Sequence, residues 1–185
     1  MTDAKQRSGA AKLSKLLLPF FLLAGLTLFF LFGGHELLSF SQLAENYTSL
    51  KAFVDGQLAT ALLVFVAAYI LTVALSLPVA SLLTLAGGAL FGWPAAAVII
   101  CAATIGATIV FIAAQTVLNE FFIKRTTGFM AKLEAGFHKN AISYLLALRL
   151  IPVVPFWVVN IVPALLGMRL NHYVLTTFIG ITPGT

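Results

Sequence analysis

Residues 77–94 read LPVASLLTLAGGALFGWP and lie inside the longest uncharged stretch of the chain. That stretch runs from Gly56 to Asn119, although two straight membrane helices need only about 40 residues. Pro78 and a later proline each remove a backbone donor, and the glycines between them weaken a helix. The pattern therefore predicts a broken segment rather than a plain span. Broken backbone at membrane depth is tolerated only where it is buried in protein or lines a cavity.

The composition of the chain is that of a membrane protein. Of its 185 residues, 61% are hydrophobic and 9% are charged, against roughly 25% charged residues in a soluble domain. The polar residues are too few to cover a surface that faces water, so the sequence predicts an all-α, polytopic integral membrane protein. The net charge is +5, and the basic residues lie at the ends of apolar runs. The expected partners are therefore membrane lipids and not nucleic acid.

Two segments precede the uncharged stretch at the N-terminus. Residues 1–15 carry four basic side chains and one acid, which places the N-terminus in the cytoplasm by the positive-inside rule. Residues 16–34 contain no charge and are long enough to cross a bilayer as a helix. They lack the short apolar core and the cleavage site of a signal peptide. We expect a retained first transmembrane helix, in a bacterial inner (plasma) membrane protein.

Residues 35–57 are mixed in polarity, and their apolar side chains recur at helical spacing. This pattern predicts an amphipathic helix that lies on the outer membrane surface. A short solvated helix packed on the bundle fits the same pattern equally well. The sequence leaves the choice between them open.

Residues 58–185 are expected to form the main membrane domain. Residues 58–76 read as a plain spanning helix, and residues 95–118 as a helix rich in alanine, glycine and threonine. In the second of these helices, Gly106 and its small neighbours suit close helix packing. The last uncharged run, residues 173–185, is too short to span, so the domain is expected to be incomplete at its C-terminus.

The sequence leaves open how the second half of the chain is oriented across the membrane. The segment at residues 119–139 carries four lysines and arginines, which would place it in the cytoplasm. If residues 77–94 instead enter and leave the membrane on one side, the same segment lies outside. The charge of the segment and the path of the chain thus favour opposite sides.

Arg149 is the strongest candidate for a functional residue. It stands within the apolar run of residues 141–168, where an arginine near the bilayer centre costs on the order of 3 kcal/mol. Such residues usually face a bundle interior or a watery cavity and mark a transport path. A guanidinium can hold a phosphate through two parallel hydrogen bonds, and nearby helix ends can add N–H groups. A structural or snorkelling arginine is the competing interpretation.

A second broken segment covers residues 149–167, which contain three prolines and a glycine. Paired interrupted segments in the two halves of a chain are the best sequence indication of a transport site at the membrane midplane. The predicted substrate-binding residues come from both segments: Pro78, Gly88, Gly92, Arg149, Pro152, Pro155 and Asn160. The alternatives are two kinked helices without a substrate role, and an Asn160 that only bridges helices.

Three motifs, in order along the chain, resemble the VTT domain, a family of SNARE-associated Golgi proteins distantly related to the bacterial DedA proteins. They read GALFG at residues 88–92, RLIPVVP at residues 149–155 followed by Asn160, and FIGITPGT at residues 178–185. The resemblance covers roughly residues 60–185. It implies two opposed re-entrant hairpins in an inverted repeat, with Arg149 in the place of the family's hairpin arginine. It also implies lipid translocation, either scrambling of phospholipids or transport of undecaprenyl phosphate or phosphatidylethanolamine.

The chain departs from the family pattern at two places. The family commonly has an arginine in an Ala-Arg-x-x-Gly setting after the first hairpin, where this chain reads AQTVL at residues 114–118. DedA proteins carry acids around the first hairpin that are linked to proton coupling, whereas residues 78–81 here read PVAS. We therefore do not expect proton coupling through carboxylates at that hairpin.

These observations favour scramblase-like or flippase-like translocation of phospholipid or polyprenyl phosphate head groups through a cavity between the two broken hairpins. A secondary transporter of a small anion and a non-transporting membrane assembly factor are the alternatives. The sequence has no phosphate loop, no H-E-x-x-H and no G-x-S-x-G, and its histidines and single cysteine lack ligand spacing. We therefore expect no enzyme, cofactor or metal. A homodimer would complete the inverted arrangement, although no residue demands one.

Overall fold

The computed structural model describes residues 40–123, 140–151 and 154–185, together with the single residues Gly25, Thr27, Leu31 and Gly33. At residues 117–123 it describes the backbone alone. The basic segment 1–15, almost all of the predicted first transmembrane helix at 16–34, and Pro152 lie outside the described residues. So does most of the basic segment at 119–139.

Within the described residues the chain forms seven α-helices and no strand, which confirms the all-α prediction. We number the helices in chain order: α1 Phe40–Gly56, α2 Leu58–Ala74, α3 Ala80–Phe91, α4 Ala95–Ile123, α5 Asn140–Leu150, α6 Phe156–Leu165 and α7 Leu170–Ile181. A short 3-10 helix, Thr182–Gly184, follows α7. The re-entrant path of the broken segments and their inverted repeat stay predictions.

Helix α4 is long and apolar enough to cross a membrane, over Ala95–Thr116. It is the one helix in the described part of the chain that passes this test by itself. Helices α1 and α2 pass it only as a pair, and they are bent by 119° at the break between them. The plain span predicted for residues 58–76 is therefore shorter than expected: α2 has 17 residues, or about 26 Å of helix.

The end of α2 has a local cause. Pro78 has no N–H to give to a continuing helix, and its ring disfavours helical backbone at the residue before it. The chain turns at residues 75–79, where Ser76 takes the positive φ of 54° that side chains rarely adopt. The next helix, α3, ends at Gly92, whose φ of 73° suits glycine, and Pro94 follows two residues later.

Gly87 and Gly88 do not interrupt the chain, because both glycines lie inside α3. Gly87 allows close packing of α3 against its neighbours and does not bend the helix. A Cβ at this position would lie 2.6 Å from the ring of Phe65 on α2 and 2.9 Å from Ile99 on α4. The missing side chain therefore lets α3 approach both neighbours closely, while residues 75–79 and 92–94 supply the breaks.

Helix α4 is the centre of the bundle, because α2, α3, α6 and α7 all pack against it. The small residues predicted to allow close packing are buried, with Ala102 and Ala107 fully inaccessible. A Cβ at Gly106 would lie 2.7 Å from Val73 and 2.9 Å from the carbonyl oxygen of Ile70, both on α2. Backbone-to-backbone approach of this kind is typical of membrane helix pairs with small residues at the contact, and it confirms the prediction for this face.

Helix α1 packs on α2 and α3, and its buried residue, Val54, lies near its C-terminal end. Val54 is buried in a small cluster with Ala61 of α2 and Leu90 of α3. Its outer face carries the ion pair of Lys51 with Asp55, at 2.7 Å. The helix predicted within residues 35–57 is present, and its place on the membrane surface stays a prediction.

Replacing Gly106 by alanine is expected to lower the thermal unfolding temperature of the detergent-solubilised protein. The added methyl group has no room against Val73 and the Ile70 carbonyl, so overpacking should cost about 1–3 kcal/mol. The matched control is Gly88→Ala, because nothing lies within 4 Å of that position. It should stabilise α3 by roughly 0.5–1 kcal/mol, since glycine is a poor helix residue. Equal melting temperatures for the two variants would contradict the packing described for α4.

Candidate functional site

The candidate site is built around Arg149, which lies one residue before the C-terminal end of α5. Its Nη2 atom donates to three neutral oxygens: the Asn160 Oδ1 at 3.2 Å, the Tyr173 hydroxyl at 3.2 Å and the Thr177 hydroxyl at 2.7 Å. These partners come from α6 and α7. One guanidinium thus ties together the last three helices of the chain.

Asn160 lies fully buried in α6, directly behind the guanidinium. Its Oδ1 accepts a hydrogen bond from Arg149 and lies 2.8 Å from the hydroxyl of Tyr173. Its Nδ2 has no hydrogen-bond partner although it is buried. The amide is therefore oriented by the cation, and the two N–H donors of its Nδ2 have no partner.

Tyr173 fixes the other side of the cluster. Its ring stacks on Phe111 of α4, with centroids 4.1 Å apart, and lies 5.5 Å from the guanidinium carbon of Arg149. Its hydroxyl also lies 3.3 Å from the carbonyl oxygen of Ala107. The cluster is in this way attached to the central helix.

One face of α7 supplies the residues that surround the arginine. Tyr173, Thr177 and Gly180 are four and then three residues apart, so they lie on the same side of the helix, and all three are buried. A Cβ at Gly180 would lie 2.9 Å from the Cδ of Arg149, so the glycine makes room for the arginine stem. This face was not among the predicted site residues. The spacing of polar and small residues along residues 173–180 was the available signal.

The positive charge of Arg149 is not neutralised by the described part of the protein. The hydrogen-bond acceptors found for its Nη2 are all uncharged, and no described acid forms an ion pair with it. Its Nε is buried without an acceptor. Burying a cation without a counter-charge is costly, and such a residue usually faces an interior or an aqueous path.

A cavity of about 720 Å³ opens beside Arg149. It is bounded by the first turns of α3, the end of α5, the beginning of α6 and the end of α7. Polar groups on its wall include Tyr69, Ser81, Thr84 and Thr185. Residues from both predicted broken segments therefore line a single cavity.

A second cavity, of about 490 Å³, lies between α1, α2 and α3. Its lining is apolar apart from Gln42 and Asn46 at α1. The described lining of this second cavity contains no charged residue. The cavity beside Arg149 is therefore the better candidate for binding a polar group.

The structure brings together some of the predicted site residues and separates others. Arg149 and Asn160 are in direct contact. Pro155 is exposed at the start of α6, next to the cavity wall, and Pro78 is exposed in the turn before α3. Gly88 and Gly92 lie towards the far end of α3, whereas the cavity borders only residues 80–85 of that helix. The substrate-binding role of these residues stays a prediction.

No group of three or more His, Cys, Asp or Glu side chains that could hold a metal ion occurs in the described ranges. Cys101 is exposed on α4. The described site offers a cation with an unused N–H donor beside a cavity, an arrangement that can bind a negatively charged or hydrogen-bond-accepting group.

Comparison with known proteins identifies a VTT domain at residues 77–185. The relatives include a transmembrane protein 41 homolog of Drosophila melanogaster, 27% identical over 123 residues, which are 64% of this chain and 38% of the relative. Transmembrane protein 41B of Danio rerio is 26% identical over 140 residues, 74% of this chain and 50% of the relative. The human transmembrane protein 41B is 22% identical over 139 residues, 72% of this chain and 47% of the relative. No solved structure matches the chain.

These relatives are longer proteins, and the chain spans about half of their length or less. The matched VTT domain includes α3 to α7, and hence the whole cluster around Arg149 and all of the cavity lining except Tyr69 of α2. The names of the relatives support an integral membrane protein, in agreement with the composition.

Replacing Tyr173 by phenylalanine is expected to destabilise the protein by about 1–3 kcal/mol. The ring can keep its stack on Phe111, but Arg149 and Asn160 each lose a hydrogen-bond partner in a buried place. Unfolding in detergent, followed by intrinsic fluorescence, measures the change. Tyr47→Phe is the matched control, since its hydroxyl is exposed and makes only a 3.4 Å contact; its effect should stay within about 0.5 kcal/mol. A wild-type melting curve for Tyr173→Phe would contradict the role given to this hydroxyl.

Proposed function

Because the chain belongs to the VTT-domain family and is an integral membrane protein, we propose that it translocates lipids by passing their phosphate head groups through the cavity beside Arg149. The activity is that of a scramblase or flippase. Phospholipids and polyprenyl phosphates are the substrate class, and membrane lipids are the principal partners. No catalytic reaction and no cofactor enter the proposal.

The observation that carries the proposal is a cation in the wall of a cavity that has no counter-ion among the residues the structure describes. Arg149 is held by neutral oxygens, and its Nε has no acceptor. A phosphate can supply both the missing negative charge and the missing acceptors, and guanidinium and phosphate match in geometry. The arginine is then a binding site for the head group at a depth where water is scarce.

The proposed path runs between the two broken segments, which we take to be opposed re-entrant hairpins in an inverted repeat. The acyl or polyprenyl tail stays in the bilayer while the head group crosses. Arg149 and the backbone groups at the helix ends replace the water that hydrates the head group outside. This arrangement agrees with the general placement of transport sites at interrupted helices near the membrane midplane.

The energy source is limited by what the sequence contains. No G-x-x-x-x-G-K-[ST] phosphate loop is present, so the proposed transport is not ATP-driven within this chain. The apolar runs contain no aspartate or glutamate, so a carboxylate proton relay is not part of the proposal. The protein equilibrates a lipid between leaflets, or couples its movement to an ion gradient by other groups.

Transport of a small soluble anion is a second candidate, favoured by the size of the cavity, which suits a small ligand. The two functions differ in whether the tail is required. Excess inorganic phosphate should inhibit a small-anion transporter strongly. It should have little effect on a lipid already concentrated in the membrane.

Lipid movement in liposomes tests the proposal. Full-length protein is reconstituted with a trace of fluorescently labelled phospholipid or polyprenyl phosphate, and dithionite then destroys the label exposed outside. We expect bleaching well past the outer-leaflet half for the wild type, and bleaching near half for Arg149→Ala. Arg149→Lys should be intermediate, because lysine keeps the charge but not the planar fork.

Arg169→Ala is the matched control for the loss of a positive charge. Arg169 is exposed at the start of α7 and makes no side-chain cap for that helix. This variant should translocate lipid as the wild type does. Bleaching that stops at half for every lipid with the wild type would refute translocation, and equal rates for Arg149→Ala and Arg169→Ala would refute the role of Arg149. The former result is the one expected of a small-anion transporter or of a non-transporting assembly factor.

A further inference from the structure

Two helices begin at the wall of the cavity beside Arg149. Ala80 and Ser81 of the first turn of α3 line it, and so do Val154 and Phe156 at the start of α6. Neither helix has a side-chain cap at its N-terminus. The first N–H groups of a helix have no partner within the helix and carry a partial positive charge. Both helices therefore present hydrogen-bond donors to the cavity.

Two helices, α5 and α7, end at the same cavity, and the C-terminal end of a helix carries a partial negative charge. At the end of α7, threonine hydroxyls cover carbonyl groups. Thr182 donates to the carbonyl oxygen of Phe178 at 2.9 Å, and Thr185 donates to that of Ile181 at 3.1 Å. Acceptors at the end of α7 are thus partly satisfied, while the donors at the starts of α3 and α6 have no side-chain partner.

The side chains that line the cavity also favour a negatively charged ligand group. Arg149 is the one charged residue among its described lining residues. The hydroxyl groups of Tyr69 and Thr84 are 2.9 Å apart, and Thr84 donates to the carbonyl oxygen of Ala80. No carboxylate side chain occurs in the described lining, so a positively charged ligand group finds no aspartate or glutamate there.

Because the one charged side chain in the described lining is a cation, we infer that the site selects lipids by the charge of the head group. It accepts a phosphate that carries no tethered ammonium, as in phosphatidic acid, phosphatidylglycerol or a polyprenyl phosphate. It discriminates against zwitterionic lipids. This inference rests on the proposed function and adds a substrate class to it.

The physical reason is the short tether in a zwitterionic head group. When its phosphate binds at Arg149, the choline or ethanolamine nitrogen must stay within a few ångströms of the same cation. It loses hydration there and meets no carboxylate, and like charges that are close in a poorly screened place repel strongly. A head group without the ammonium avoids this repulsion.

The test compares acyl-chain-labelled phosphatidic acid, phosphatidylglycerol and phosphatidylcholine in liposomes of one neutral background lipid. A label on the chain leaves each head group intact, and dithionite reports the leaflet as before. We expect the initial rate for both anionic lipids to exceed that for phosphatidylcholine by about tenfold or more. Equal rates for all three lipids would overturn the inference and leave the proposed function standing. No movement of any lipid would overturn the proposed function itself.

A carboxylate introduced into the cavity tests the cause of the selectivity. Ser81 and Leu85 are exposed residues that line the cavity one turn apart on α3, so neither is needed for the core. Ser81→Glu and Leu85→Glu should each narrow the ratio of anionic to zwitterionic rates. Glutamine has nearly the size of glutamate but no charge. Ser81→Gln and Leu85→Gln should therefore keep the wild-type ratio of anionic to zwitterionic transport rates. Melting temperatures in detergent identify any variant that fails to fold.

An unchanged ratio in both glutamate variants, with wild-type melting temperatures, would overturn the assignment of selectivity to the charge of this cavity. A ratio that falls equally in the glutamine variants would do the same, since the change would then follow size and not charge.

Discussion

A guanidinium among apolar helices has to be held by hydrogen-bond acceptors that replace the water it has lost. In this protein the task falls to three neutral side chains, Asn160, Tyr173 and Thr177, which gather around Arg149 from α6 and α7. The arrangement of the second half of the chain depends on this contact, because it fixes the end of α5 against both later helices. It also leaves a cation beside a cavity of about 720 Å³, which is the basis of any function that involves an anion.

The cluster needs a rigid support, and α4 provides it. Small residues along α4 let α2 approach so closely that a methyl group at Gly106 would meet backbone atoms. Phe111, on the same helix, carries the ring of Tyr173. Gly87 and Gly180 repeat the principle elsewhere, each marking a place where a neighbouring side chain occupies the space of a missing Cβ. Without a strong hydrophobic force between helices in lipid, such close contacts are a principal source of association.

The helix ends at the cavity give the site its electrical character. Prolines and positive-φ residues interrupt the chain around α3 and before α6, and each interruption creates a helix start whose N–H groups have no side-chain cap. The helix ends of α5 and α7 at the cavity carry the opposite partial charge, and at the end of α7 threonines cover carbonyl groups. This bias suits the phosphate of a lipid head group, whereas an apolar tail has nothing to gain from donors and a cation.

The sequence by itself determined the membrane character, the all-α class, the segments interrupted by proline and glycine, and the prominence of Arg149. Each of these follows from local chemistry: charge, hydropathy, and the missing donor of proline. Only the tertiary structure decided that Gly87 packs instead of breaking α3, that Gly88 and Gly92 lie away from the cavity, and that Tyr173, Thr177 and Gly180 surround the arginine. These facts depend on contacts between residues far apart in the chain. A glycine that bends a helix and a glycine that admits a neighbour look the same until the neighbour is in place.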